Sequence, residues 1–179
     1  MFTLYVDRTE NGWSEIKDPG DPFNPMKTMH ISVTNNGTIY TTDISGGGSF
    51  RTNAGPTNQG SECLGLLKAV NGKYDKIEKL GPPLNKYPNS QHPWIAPDES
   101  YILYTVAESG QQGKSRIYFS EKGKDCNWAE PKEVHLGING GQPFVTPDGK
   151  YLFFTSFNQG QGDLYWVSTK ILDGLRQKK

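Results

Sequence analysis

Charge of one sign, cysteine and long apolar runs are all scarce in this sequence. Lys and Arg number 19 and Asp and Glu number 19, for a formal net charge of zero. No one-sign field exists to gather a phosphate backbone or an anionic membrane, so nucleic acid is not an expected partner. Apolar runs stop at four residues or fewer, far below the roughly 20 needed by a membrane-spanning helix. Residues 1–14 hold no apolar core of a signal peptide, so the chain as given is expected to be soluble and without an export signal. The only cysteines, Cys63 and Cys126, have no CxxC and no His at metal-ligand spacing beside them. That argues against a structural zinc or a disulfide framework and leaves a single bridge between the two open. A phosphate-loop lysine, a dinucleotide fingerprint and a G-x-S-x-G nucleophile are missing as well, so nucleotide binding and serine-hydrolase chemistry have no motif to rest on.

Turn formers and aromatics are what the chain has in quantity. With 21 glycines and 12 prolines among 179 residues, the two make up about 18% against roughly 12% in an average protein, and aromatics reach 12%. The length suits one core. The composition is that of a β-rich, turn-rich domain.

Repetition gives these strands an architecture. HISVTNNGTIYTTD from His30, HPWIAPDESYILYTV from His92 and QPFVTPDGKYLFFTS from Gln142 each read as apolar strand, turn, then β-branched and aromatic strand. A third strand follows each polar stretch, as in 63–67, 116–120 and 163–168. Trp13, Tyr74 and Trp128 then recur ahead of Asn24, Asn85 and Asn139, both series stepping by 61 and then 54 residues. The unit is four short strands in about 50 to 60 residues, which predicts an all-β fold of β-propeller blades, each a four-stranded antiparallel sheet, with about three blades present. A β-sandwich would fit the strand content but not the repetition. The single domain 1–179 divides into a partial blade over 1–25, blades over 26–88 and 89–140, a partial blade over 141–170, and a tail over 171–179, for which one docked helical turn is expected.

At HPWIAPDESYILYT and QPFVTPDGKYLFFTS the chain resembles the Pro-Asp-Gly, WD-like repeat of TolB-like six-bladed propellers. RTENGWSE, the LGPPLN and LGIN turns and the ending GDLYWVSTKILDGLR look like the bacterial envelope members of that group. The resemblance implies the fold and a periplasmic or cell-envelope location, and it leaves the activity open, since propellers host binding modules, lyases and glycosidases alike. Asn35-Asn36-Gly37 replaces Pro-Asp-Gly in the first hairpin. The strands amount to about half of a six-bladed ring, as either a fragment or a natural half-propeller, and a homodimer that completes the ring is the expected partner arrangement.

Chemistry-bearing residues gather by repeat position. His30, His92 and Gln142 occupy one equivalent place at the entry to the innermost strand, near the channel mouth. Two imidazoles there are candidates for a metal or an anionic ligand, while hydrogen bonding to a neighbouring carbonyl is the structural alternative. The Gly-rich stretch 45–59, with Arg51, Asn53, Asn58 and Gln59, is a candidate loop for binding a sugar or peptide. Asp98, Asp148 and Asn36 read as turn-capping residues, and Glu62, Arg116 and Asp163 as candidates for inter-blade ion pairs. Trp13, Tyr74 and Trp128 are expected on the outermost strands as packing residues. No catalytic residue is assigned and no cofactor is expected beyond a metal at His30 and His92. The function read from the sequence is a non-catalytic binding or interaction module with a protein or glycan ligand on its loop-rich face. A lyase- or glycosidase-type carbohydrate enzyme using the channel-mouth histidines, or a structural remnant of a longer propeller, are the alternatives.

Overall fold

The three hairpin turns are closed by the same device. The side-chain oxygen of Asn36, Asp98 or Asp148 accepts from the backbone N–H two residues on, at 2.9, 3.0 and 3.1 Å. The next residue, Gly37, Glu99 or Gly149, takes φ of 84°, 59° or 72°, a conformation natural to glycine. Glu99 holds it while its carboxylate pairs with Lys122 at 2.9 Å and accepts from the Tyr40 hydroxyl at 3.4 Å.

The structure, a computed structural model of the chain, describes residues 3–25, 27–45, 62–108, 114–158 and 161–176. β1 (Arg8–Thr9) and β2 (Gly12–Trp13) form a short hairpin. β3 (Thr28–Val33), β4 (Ile39–Asp43) and β5 (Cys63–Leu67) continue through a second small hairpin, β6 (Ala69–Val70) and β7 (Lys73–Tyr74), to β8 (Glu78–Lys79). β9 (Ser90–Ile95), β10 (Tyr101–Ala107), β11 (Ser115–Glu121) and β12 (Lys132–Glu133) follow, then β13 (Gly141–Val145), β14 (Tyr151–Asn158) and β15 (Gln161–Ser168). Antiparallel sheets β3-β4-β5-β8 and β9-β10-β11-β12 are four-stranded blades 1 and 2, and the three-stranded β13-β14-β15 is blade 3. The fold is an all-β partial propeller of about three blades. Among the described residues helix is confined to 3-10 turns at Leu84–Lys86 and Thr169–Leu175, and none is long and apolar enough to cross a membrane.

The N-terminal segment belongs to the same series. Its Tyr5–Lys17 bridge recurs 61 residues later as Leu66 opposite Glu78, and Arg8 opposite Trp13 recurs as Ala69 opposite Tyr74. Asn24 and Asn85 explain the repeated asparagine. The Asn24 amide exchanges hydrogen bonds with the N–H and C=O of Thr3, both at 2.9 Å, and the Asn85 amide does so with Leu64, both at 2.8 Å. At the third copy Asn139 is exposed, and the backbone of Gly140 instead donates to Ser115 O at 3.0 Å, two residues before Ile117, the counterpart of Leu64.

Two of the expectations are corrected here. Trp13, Tyr74 and Trp128 sit on the hairpin that precedes the outermost strand, not on that strand, which is β8 in blade 1 and β12 in blade 2. The hairpin tip brings the Tyr74 hydroxyl to Gly37 O at 2.7 Å and Trp128 edge-on to Tyr40, with ring centroids 6.2 Å apart. Arg116 makes its ion pairs within its own blade, with Glu108 and Glu133, both at 3.0 Å, because Glu108 follows β10 and Glu133 lies on β12, the two strands that flank its own β11. Cys63 and Cys126 are free thiols.

The core lies between blades. Tyr40, Leu64 and Leu66 of blade 1 pack with Ile95, Ile102 and Tyr104 of blade 2, plugged by Leu84. Leu103, Ile117 and Phe119 of blade 2 pack with Val145, Leu152 and Phe154 of blade 3, plugged by Leu172 of the C-terminal turn. Burying such side chains contributes roughly 1.5–3 kcal/mol each, so each blade is stabilised chiefly by its neighbour.

Candidate functional site

The innermost strands β3, β9 and β13 share one irregularity. His30, His92 and Gln142 adopt φ of 54°, 53° and 54°, and at each the pairing with the second strand slips, between Met29 and Ser32, between Leu103 and Thr105 opposite β9, and between Gly141 and Phe144. These are β-bulges, which turn a side chain out of the alternation and re-aim it. Left-handed φ costs a non-glycine residue about 1–2 kcal/mol, and at His92 and Gln142 inter-blade hydrogen bonds hold the conformation. The His92 N–H donates to Thr42 Oγ1 at 2.9 Å and the Gln142 N–H donates to Thr105 Oγ1 at 2.8 Å, each threonine standing buried on the second strand of the preceding blade.

The three bulged residues line one concavity of about 740 Å³ along the inner wall. His30 and His92 meet edge to face, with ring centroids 3.8 Å apart and planes at 77°. Burial, with the neighbouring His30 ring adding to it, pushes the His92 pKa down to about 3. Burial also lowers His30, against the opposing pull of the Glu62 carboxylate. Both imidazoles are therefore neutral at pH 7. The Nδ1 of His92 is buried and makes no hydrogen bond. Neutral rings can accept and donate hydrogen bonds but cannot supply the positive charge that an anionic ligand would use. Among the described residues no three His, Cys, Asp or Glu side chains converge as a metal shell, and Asp98, the carboxylate on this wall, is engaged by Ser100.

Of the residues singled out in the sequence, His30, His92 and Gln142 are thus brought to one wall. Arg51, Asn53, Asn58 and Gln59 lie outside the described residues. Sequence reasoning missed the apolar part of the wall, Pro93, Trp94, Pro143 and Phe144. The signal was present: His92-Pro93-Trp94 and Gln142-Pro143-Phe144 repeat as polar, proline, aromatic, and an aromatic two residues beyond the bulge stays on the same sheet face. The combination is a wall of neutral hydrogen-bonding groups interleaved with rings.

No family model matches the chain, and no curated protein matches it either. Among solved structures, the crystal structure of TolB from Acinetobacter baumannii is similar in fold, with a TM-score of 0.54 over 93% of this chain at 14% identity. The chain spans 37% of the length of that protein. What the likeness shows is a TolB-like propeller fold.

Proposed function

We propose that this chain is a non-catalytic propeller-type binding module whose ligand lies against the concave inner wall at His30, His92 and Gln142. The reading rests on one observation above others, that three successive blades bear the cost of left-handed φ to turn a polar side chain into the same concavity. The bulged backbone also ties blade to blade through Thr42 and Thr105, and what favours a site is that the side chains it re-aims are polar and line one concavity. Neutral imidazoles, an amide and the exposed ring of Phe144 suit an uncharged polar ligand, either an extended peptide segment or a neutral glycan, which combines hydrogen-bonding groups with apolar faces. A cell-envelope location, implied by the sequence resemblance, belongs to the same proposal.

Screening the chain against neutral and acidic oligosaccharides and a library of extended peptides tests this. A bound ligand is expected to lose ~10-fold or more in affinity in the His30→Ala/His92→Ala double variant, a loss of about 1.4 kcal/mol. The part of its affinity that depends on His92 should be flat between about pH 8 and 6, because burial holds that imidazole's pKa near 3. An affinity that rises as the pH falls through about 6.5 would point to an imidazolium-held anion instead.

A further inference from the structure

One apolar face occurs three times in this chain and is covered twice. Tyr40, Leu64 and Leu66 of blade 1 lie against blade 2, and Leu103, Ile117 and Phe119 of blade 2 lie against blade 3. The ladder registers make Phe153, Leu164 and Trp166 the corresponding residues of blade 3. Ile117 and Phe119 are each 1% exposed, whereas Leu164 is 70% and Trp166 60% exposed. The C-terminal turn does not cover them, since its Leu172 is inserted between blades 2 and 3 and Arg176 lies over the rings of Tyr101 and Phe119. The outer edge of β15 carries no strand among the described residues. An uncovered apolar face beside an unpaired strand edge recruits another chain.

The opposite end of the arc is open along its innermost strand, while Ile39 behind it is already buried beside Phe23. Val33 of blade 1 corresponds to Ile95 and Val145, which are 1% and 3% exposed against the preceding blade, but Val33 itself is 51% exposed. The hydrogen-bond series is incomplete in the same way. With Thr42 accepting from His92 and Thr105 from Gln142, the remaining members are the Thr155 hydroxyl in blade 3 and the His30 N–H in blade 1, at opposite ends.

We propose that a second copy of this chain covers both ends, blade 3 of each copy seating on blade 1 of the other. The Thr155 hydroxyl then accepts from the partner's His30 N–H. The contact is head to tail, and about three blades of a six-bladed geometry turn through half a ring, so two copies close and no filament grows. Leu66 stands opposite Glu78 and Phe119 opposite Lys132, so β15 places Trp166 opposite the partner's Lys17. It takes over the single Tyr5–Lys17 bridge, and residues 4–6 yield their place. Each copy contributes His30, His92 and Gln142 to one closed channel, so the wall described above is half of a shared site. The pairing does not depend on what the channel binds.

Sedimentation of the intact chain over a dilution series tests this. A species of twice the 19.9 kDa chain mass is expected. Leu164→Glu/Trp166→Glu and, separately, Val33→Glu are expected to weaken association by ~100-fold or more, since each sets an unpaired charge in an apolar contact. Unchanged far-UV circular dichroism shows that each variant is folded, and the uncharged Trp166→Ala should give a milder form of the same loss. An equimolar mixture of the two charged variants should recover a dimer, because the mixed pair keeps one of its two contacts intact. A parent that is monomeric throughout, open oligomers larger than two, a Leu164→Glu/Trp166→Glu variant that still pairs, or a mixture that recovers nothing would each overturn the proposal.

Discussion

His92 shows how one residue serves both packing and chemistry. Its N–H joins two blades through Thr42, while its ring is held neutral by burial with a pKa near 3. In the unfolded chain the imidazole titrates near 6.5. Between those values the unfolded state binds a proton that the folded state refuses, so the contribution to stability is intact above about pH 6.5 and declines as the pH falls toward 3. The slope is at most about 1.4 kcal/mol per pH unit. His92→Asn removes the titrating group and keeps a residue type that tolerates left-handed φ. Melting curves at about pH 7.5 and 4.5 should therefore show a smaller loss of stability in the variant than in the parent. An equal loss in both would place the acid sensitivity elsewhere.

At the level of elements, the second strand of each blade is the connector. β4 and β10 bury their own turn-side residues and also present Thr42 and Thr105 to the bulge of the next blade. Thr105→Val keeps the shape and removes the acceptor, leaving the Gln142 N–H without its partner. A loss of about 1–3 kcal/mol is expected. Thr155, at the corresponding place on β14, meets no following blade among the described residues, so Thr155→Val should change the denaturation of dilute monomer by less than about 0.5 kcal/mol. Urea titration of the two variants side by side reads the difference, and equal effects would mean that these threonines matter for their own strands only.

Across the whole molecule stability is uneven, because blade 2 is packed between two blades and blade 1 between blade 2 and Phe23, while one face of blade 3 is left open. In a repeat architecture each unit is held by its neighbours. Hydrogen exchange should accordingly be slowest at β10 and β11, and fastest at Tyr5, Lys17 and the free-edge amides of β15. Equal protection at β11 and the free edge of β15 would show that a further surface covers blade 3.

The strands, their hairpins and the repeat are all legible in the order of the residues. Period-two apolar patterns and Asn-Gly or Pro-Asp turns act over a few residues and carry their signal locally. The residue order also places His30, His92 and Gln142 at one repeat position, because equal spacing along the chain becomes an equal position in the blade. Tertiary structure alone decided the rest. The bulges at His92 and Gln142 are tied to threonines 50 and 37 residues away, and the neutrality of the two imidazoles follows from burial that no spacing encodes. The aromatics Trp13, Tyr74 and Trp128 were legible as a series, yet the strand they stand on was not, since two-residue strands are defined by their pairing partners. The same holds for Leu164 and Trp166. Their apolar pattern matches that of Ile117 and Phe119, and whether such a face is core or surface is settled by what packs against it.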